Sequence, residues 1–436
     1  MTDVLVVAQA ATEVDTGDTA WMLTATALVL LMTIGLGLFY AGLVRAKNTL
    51  NTFMMCVSAL AVAATTWALV GYSLAFDGTG DLIGGLNHVG LHDVTFEPRE
   101  GTTIPHLVFF AFQATFCILT TALVSGAVVE RMRFSAWLVF AALWSVLVYA
   151  VMAHWAFGGG WLIEGGTLDF AGGVPVEMGS GFAALAAALV VGARKDYGRQ
   201  ALLPHNAVYS MLGAGLLWFG WFGFNGGSGF STGNASVLAF TNTMLTPATT
   251  LLTWFLLDAL RGRQVTAVGA ATAIIVGCVL ITPGGGFVSP GYAMLLGVIG
   301  ALPCYAVVVW RATRVDETLD VLAAHGVAGF FGILFIGFFA QESWNGVSDG
   351  LIYGNATQLL DQAYAALAAP VYAFVATFVL LKVIGAVMPL RGEDRDEALG
   401  MDVIHHGEEA YATGEGAILV LPESDGEVEK KVPVRP

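Results

Sequence analysis

The sequence predicts an all-α integral membrane protein of eleven transmembrane helices, with its N-terminus outside and its C-terminus in the cytoplasm. Three observations predict this. Of 436 residues, 56% are hydrophobic and 12% are charged, against about 25% charged in soluble domains. Uncharged apolar runs recur at lengths able to cross about 30 Å of hydrocarbon, and the mean hydropathy is +0.74. Basic residues gather in alternate connections between those runs, as cytoplasmic loops do.

The runs follow in order, each bounded by charge or glycine. The first, 20–44, ends at Arg45 and Lys47, and the second, 48–74, ends before Asp77. The third, 104–129, ends at Glu130–Arg133; the fourth, 134–155, ends before the glycines 158–160. The fifth, 173–193, stops at Arg194 and Lys195. The sixth and seventh are 203–222 and 236–260, the latter ending at Arg261 and Arg263. The eighth, 265–282, precedes the glycines 284–286, and the ninth, 291–310, ends at Arg311 and Arg314. The tenth and eleventh are 324–341 and 365–389. An odd number of spans puts the termini on opposite sides. The outer connections hold a single basic residue, Arg99, which sets the orientation.

Three parts result: an outer segment 1–19, a helical domain 20–389 and an acidic cytoplasmic tail 390–436. The tail holds 12 acidic and 5 basic residues, a net −7 that is nearly half the formal charge of −15. No basic stretch precedes Val4–Ala11, so the first span is expected to start insertion itself. The negative charge disfavours nucleic acid as a partner. Cys56, Cys117, Cys278 and Cys304 lie inside apolar runs without ligand spacing, which makes them packing residues. Neither HExxH nor GxSxG occurs, and the glycine runs are not followed by GK[ST]. No enzyme, metal or cofactor is expected.

Ionisable groups within a span are costly and need a reason. Glu177, Asp258, Asp320 and His325 are the clearest cases, with Asp169 at an outer entrance. Asp169 and Glu177 stand eight apart at the start of the fifth span, and Glu317 and His325 stand eight apart at the start of the tenth. Two five-span units in series are oppositely oriented, so this recurrence predicts two inverted five-helix repeats plus a final helix, with Glu177 facing His325 near the midplane. Separate satisfaction of the two by backbone carbonyls, or by another subunit, is the alternative. Asp258 and Glu130 are expected to pair with the adjacent Arg261 and Arg131. His205 is expected to make a structural hydrogen bond. Phe112 and Phe116 share one helical face; with Phe157, Trp221, Phe224 and Ser228 near the outer side, they suit a small cation drawn to ring faces.

The segments DTAWM (18–22), FYAGLVRAKN (39–48), AFQATF (111–116), ERMRFSA (130–136), LDFAGG (168–173), GWFGFN (220–225), DVLAAHG (320–326) and GMDVIHHGEEAY (400–411) occur in this order. In them the chain resembles the ammonium transporter family (Amt/Mep/Rh), most closely its prokaryotic Amt branch. The resemblance implies a homotrimer in the cell membrane with one pore per subunit. It implies that ammonium is recruited outside and deprotonated, ammonia crossing an apolar lumen while the proton takes a separate route. By motif, Phe112, Phe157 and Ser228 would bind ammonium, with Asp169 shaping the vestibule. Phe116 and Phe224 would form a stacked gate, and Tyr40 and Trp221 would line the path. The tail motif implies a segment that packs against neighbouring subunits and is gated by a PII-type signal protein.

Two departures stand out. Phe157 replaces the family's tryptophan before GGG, with Trp155 and Trp161 flanking it. Glu177 replaces the first histidine of the pore pair, while His325 keeps the second; some fungal relatives also carry an acid there. Glu177 and His325 are expected to share and relay a proton as a coupled pair. The alternatives are an ammonium sensor with little transport and an electroneutral ammonia or methylamine channel.

Overall fold

The computed structural model describes residues 13–78, 80–312 and 314–411. The greater part of the acidic tail, 412–436, and residues 1–12 with the Val4–Ala11 stretch lie outside them.

Among the described residues, eleven helices are long and apolar enough to span a membrane. They are α1 Thr16–Leu43, α2 Ala46–Phe76, α3 His106–Ser125, α4 Phe134–Glu164, α5 Gly173–Val191, α6 Ala207–Gly227, α7 Asn234–Leu260, α8 Ala267–Gly284, α9 Pro290–Arg311, α10 Leu322–Phe339 and α11 Ala356–Val387. Side-chain caps start several of them. Asp15 accepts from Asp18 N, Asn206 from Val208 N and Tyr209 N, and Thr266 from Gly269 N, satisfying amides that a helix start leaves open.

The observed spans depart from the apolar runs where polar residues find partners inside the protein. Helix α11 begins at Ala356 rather than near 365 because Gln358 and Gln362 reach inward to the carbonyls of Gly166, Leu168 and Ile333. Asp320 stands before α10 rather than within it. It is bonded to Arg311 at the end of α9.

Burial sorts the helices. In α3 and α8, 83% of the central window is enclosed by protein, against 28% in α2 and 33% in α7 and α11. The enclosed helices therefore form the centre, and the exposed ones present apolar side chains outward as lipid-facing helices do. Helices α1 and α6 meet at very close range: a Cβ on Gly213 would stand 2.2 Å from Phe39 N, a separation that glycine alone permits.

The arginine-rich face is knit by ion pairs between residues far apart in sequence. Glu130 does not pair with its neighbour Arg131. It accepts from Arg45 Nε at 3.0 Å, Asn48 Nδ2 at 2.9 Å and Arg194 Nη1 at 2.7 Å, contacts that hold it at a left-handed φ of 71°. Arg194 also reaches Asp316 at 2.7 Å. Arg131 instead donates to the carbonyls of Ala127, Gly192 and Asp316 and to the Thr318 hydroxyl. Burial alone would raise the Glu130 and Asp316 carboxyls; the guanidiniums beside them hold both below their ordinary values. Asp258 likewise bonds not Arg261 but the Tyr305 hydroxyl, at 2.8 Å, while Arg261 lies over the Tyr305 ring. Glu130 and Arg131 lie in the turn that follows α3, not on a helix, and Asp258 and Arg261, three residues apart at the end of α7, both turn to Tyr305 of α9 instead of to each other.

Two short helices, α12 Asp394–Leu399 and α13 Met401–His406, dock on the start of α2. Lys47 Nζ donates to the carbonyls of Glu397 and Ala398, both at 2.7 Å. Asp402 accepts from Leu50 N and Asn51 N at 3.0 and 2.7 Å. His205 contacts the Val44 carbonyl at 3.0 Å and the Tyr411 hydroxyl at 2.9 Å.

Candidate functional site

The start of α5 and the start of α10 share one construction. In each, a carboxylate before the helix accepts from the first amides: Asp169 from Gly172, Gly173 and Val174 at 3.0, 2.7 and 2.7 Å, and Glu317 from Val321 and Leu322 at 3.0 and 3.4 Å. Each then runs through a π-helical turn, Gly173–Met178 in α5 and Leu322–Val327 in α10, a form concentrated at functional sites. Each turn carries the central ionisable side chain, and four residues on comes a glycine, Gly181 after Glu177 and Gly329 after His325.

Those glycines bring the two helices into backbone contact. A Cβ on Gly181 would lie 2.1 Å from Gly326 N, and one on Gly329 would lie 2.7 Å from Glu177 Cβ. At this crossing His325 Nδ1 lies 2.7 Å from Glu177 Oε2, with both side chains buried. Among the described residues, Glu177 Oε1 has no hydrogen-bond partner. The pair borders a narrow cavity of about 10 Å³ lined by Leu36, Phe39, Leu119, Leu217, Trp221 and Ile275 among others, room for about one water-sized molecule. Trp221 is anchored by its Nε1 donating to Thr282 Oγ1 at 2.9 Å. Among the described residues, no group of three His, Cys, Asp or Glu side chains is placed to hold a metal.

Above the cavity, Phe116 and Phe224 stack with centroids 4.0 Å apart and planes 20° apart. Phe112 meets Phe116 at 4.8 Å and Phe230, which the motifs did not single out, at 5.8 Å. The Ser228 hydroxyl donates to Phe224 O at 2.7 Å, leaving its oxygen lone pairs free to accept. Phe157 is partly exposed, and its ring reaches the Asp169-capped turn, 3.8 Å from where a Gly172 Cβ would stand. The flanking tryptophans point elsewhere. Trp155 packs on Tyr372 at 4.7 Å and donates to Leu82 O, and Trp161 lines an outward groove with Tyr364 and Tyr372.

Tyr40 does not line the cavity around the pair; Phe39 does. Tyr40 is buried against the α3 end, its hydroxyl donating to Leu123 O at 3.0 Å. The repeated Glu/His-plus-four glycine was visible in the sequence as a second register of the internal repeat. The Trp221–Thr282 bond had no sequence signal, since its partners are 61 residues apart.

Residues 20–411 match the Ammonium Transporter Family. An ammonium transporter of Bacillus subtilis is 44% identical over 399 residues, 91% of this chain and 98% of its own. Ammonium transporter Amt1 of Archaeoglobus fulgidus is 38% identical, covering 91% of this chain and 99% of its own. Among solved structures, Candida albicans Mep2 superposes with a TM-score of 0.84 at 35% identity over 88% of each chain. A sensor Amt protein does so with a TM-score of 0.82 at 27% identity, over 89% of this chain and 98% of that one. An extended match at this identity, over eleven spans and an all-helical architecture, places the chain in the cell membrane as a multi-pass protein of the ammonium transporter family.

Proposed function

We propose that the chain is an ammonium transporter that strips a proton from ammonium and conducts ammonia, using Glu177 and His325 as one proton-holding unit. The observation that carries this is the 2.7 Å contact between two buried ionisable groups from opposite repeats, bordering an apolar cavity. Without a shared proton the pair carries one negative charge; with it the pair is neutral. A low-dielectric cavity favours the neutral state, so the pair is suited to take up a proton and to pass it on.

Phe112, Phe157 and Ser228 would attract ammonium through ring faces and an acceptor hydroxyl, with Asp169 bracing the turn beneath Phe157. The stacked Phe116 and Phe224 would exclude hydrated ions, and Trp221 would flank the path beyond them. Tyr40 would act below the cavity rather than on its wall. The protein would assemble as a homotrimer in lipid, the arginine-rich face and the tail 390–436 lying in the cytoplasm and residues 1–19 outside. The tail docked on the start of α2 would offer a PII-type protein a handle on that helix.

The test is current from proteoliposomes after an ammonium jump, with K⁺ and Na⁺ jumps as controls and Glu177→Gln alongside. A saturable ammonium-specific current lost in Glu177→Gln is the expected result. Unaltered current and pH dependence in that variant would refute the pair's role. The likeness to a sensor Amt protein supports a second reading, in which ammonium binds with little flux; bound ammonium without current would favour it, and ammonia flux without current would favour an electroneutral channel.

A further inference from the structure

A proton held at the centre needs a titratable group on its way to the arginine-rich face. Four carboxylates stand on the α3–α4 and α9–α10 connections at that face: Glu130, Asp316, Glu317 and Asp320. Glu130 and Asp316 are each fixed by arginine, Glu130 by Arg45 and Arg194 and Asp316 by Arg194, and stay ionised through the neutral range. Asp320 is bonded to Arg311 and its side chain is 24% exposed, at the edge of water. Glu317 differs from all three. It is wholly buried, and its nearest cation, Arg311 Nε, stands 3.9 Å away, while the Arg311 guanidinium spends its shorter bonds on Asp320 and on the Glu317 carbonyl.

Its position is equally distinct. Glu317 accepts from Val321 N, and His325 lies four residues further along α10, within its first π-helical turn. Tyr40, whose hydroxyl bonds Leu123 O, lies within electrostatic reach of Glu317. The charged and titratable groups facing it are thus Arg311 from α9, Asp320 from its own segment and Tyr40 from α1, with Arg131 bonded to the adjacent Thr318. Burial raises the Glu317 carboxyl, against Arg311, to about 7, so both of its protonation states are accessible near neutral pH.

Resting on the transport reading above, we propose that Glu317 is the proton-release group of the relay, taking the proton from the Glu177/His325 pair and delivering it to the cytoplasm past Asp320 and Arg311. In this step the imidazolium N–H bond of His325 breaks and an O–H bond forms on the Glu317 carboxylate, with water carrying the proton between them. The carboxyl becomes neutral and the pair returns to its acceptor state. The O–H bond then breaks to water at the Asp320 edge and restores the carboxylate. The cap on α10 explains why a carboxyl oxygen is at this position, but an amide oxygen can still take the shorter of the two bonds, from Val321 N. Only the relay requires a group that titrates.

The experiment is the ammonium-jump current of wild type, Glu177→Gln, Glu317→Gln and Glu317→Asp in proteoliposomes across about pH 5 to 9. Glutamine keeps one of the two capping oxygens and removes the proton site, and Glu317→Asp and Glu177→Gln separate the two effects. The expected result is a current at least about tenfold lower in Glu317→Gln, the low side of what a positioned proton-transfer group contributes, with loss of the wild-type fall in current below pH 7. Glu317→Asp keeps most of the current and that inflection. A Glu317→Gln current within twofold of wild type with an unshifted pH profile overturns the proposal, as does equal loss in the Gln and Asp variants. Absence of current in wild type would instead sink the transport reading, whereas current lost in Glu177→Gln but kept in Glu317→Gln sinks this inference alone.

Discussion

The crossing of α5 and α10 at Gly181 invites the smallest perturbation, one methyl group. In Gly181→Ala the new Cβ would stand 2.1 Å from Gly326 N and 2.3 Å from Gly326 Cα. Ordinary contact between such atoms is about 3.5 Å, and neither neighbour is a side chain able to swing aside. The two helices must therefore part by about 1 Å or more, at a cost of about 1–3 kcal/mol, the range of overpacked cores. The Glu177–His325 contact of 2.7 Å would then open beyond about 3.5 Å, where a hydrogen bond is lost. Gly181→Ala is thus expected to lower the thermal midpoint of the purified protein in detergent and to remove most of the ammonium-driven current. Gly291→Ala, where no atom lies within 4 Å of the added methyl, serves as control and should change stability by less than about 0.5 kcal/mol. A Gly181→Ala protein with the midpoint and current of wild type would refute the reasoning, because it would mean the crossing can spread without disturbing the pair.

Two more predictions follow from the site and its cytoplasmic face. Phe157→Trp should lower the half-saturating ammonium concentration several-fold, since indole offers the strongest cation face, a gain of about 0.5–1 kcal/mol; titration of current against ammonium concentration checks it, and an unchanged value would show that Phe157 does not face the ion. Glu130 and Asp316 have folded-state values held below their ordinary ones, so their contribution to stability is full above the usual carboxylate range and is lost as pH falls through it. The thermal midpoint should therefore fall on acidification below about pH 4, and Glu130→Gln should flatten that fall; a variant with the wild-type acid limb would place the lost stability elsewhere.

The eleven spans were legible because lipid imposes long apolar runs, and the central pair was legible because a charge in such a run stands out. The eight-residue spacing, read twice, became two carboxylate caps and one hydrogen-bonded pair. What stayed hidden depended on helix rotation and distant partners. Glu130 and Arg131 are neighbours in sequence yet face different sides, and nothing in ERMRF points to Arg45 or Arg194. The outward turn of Trp155 and Trp161 depends on Tyr372 in α11, more than two hundred residues away. The polar start of α11 was hidden for a related reason: Gln358 and Gln362 look like loop residues until the carbonyls of the α4–α5 connection are seen to receive them.

The stacked phenylalanines carry a kinetic consequence. With centroids 4.0 Å apart, two rings are already in van der Waals contact, and nothing passes between them while they hold that pose. If ammonia crosses between them as proposed, passage would be timed by ring excursions instead of by free diffusion along a tube. Throughput would resemble that of a turnstile: it would saturate when every opening admits a molecule, and it would steepen with temperature as the rings swing more often. Raising the supply outside would shorten the wait at the entrance without quickening the door.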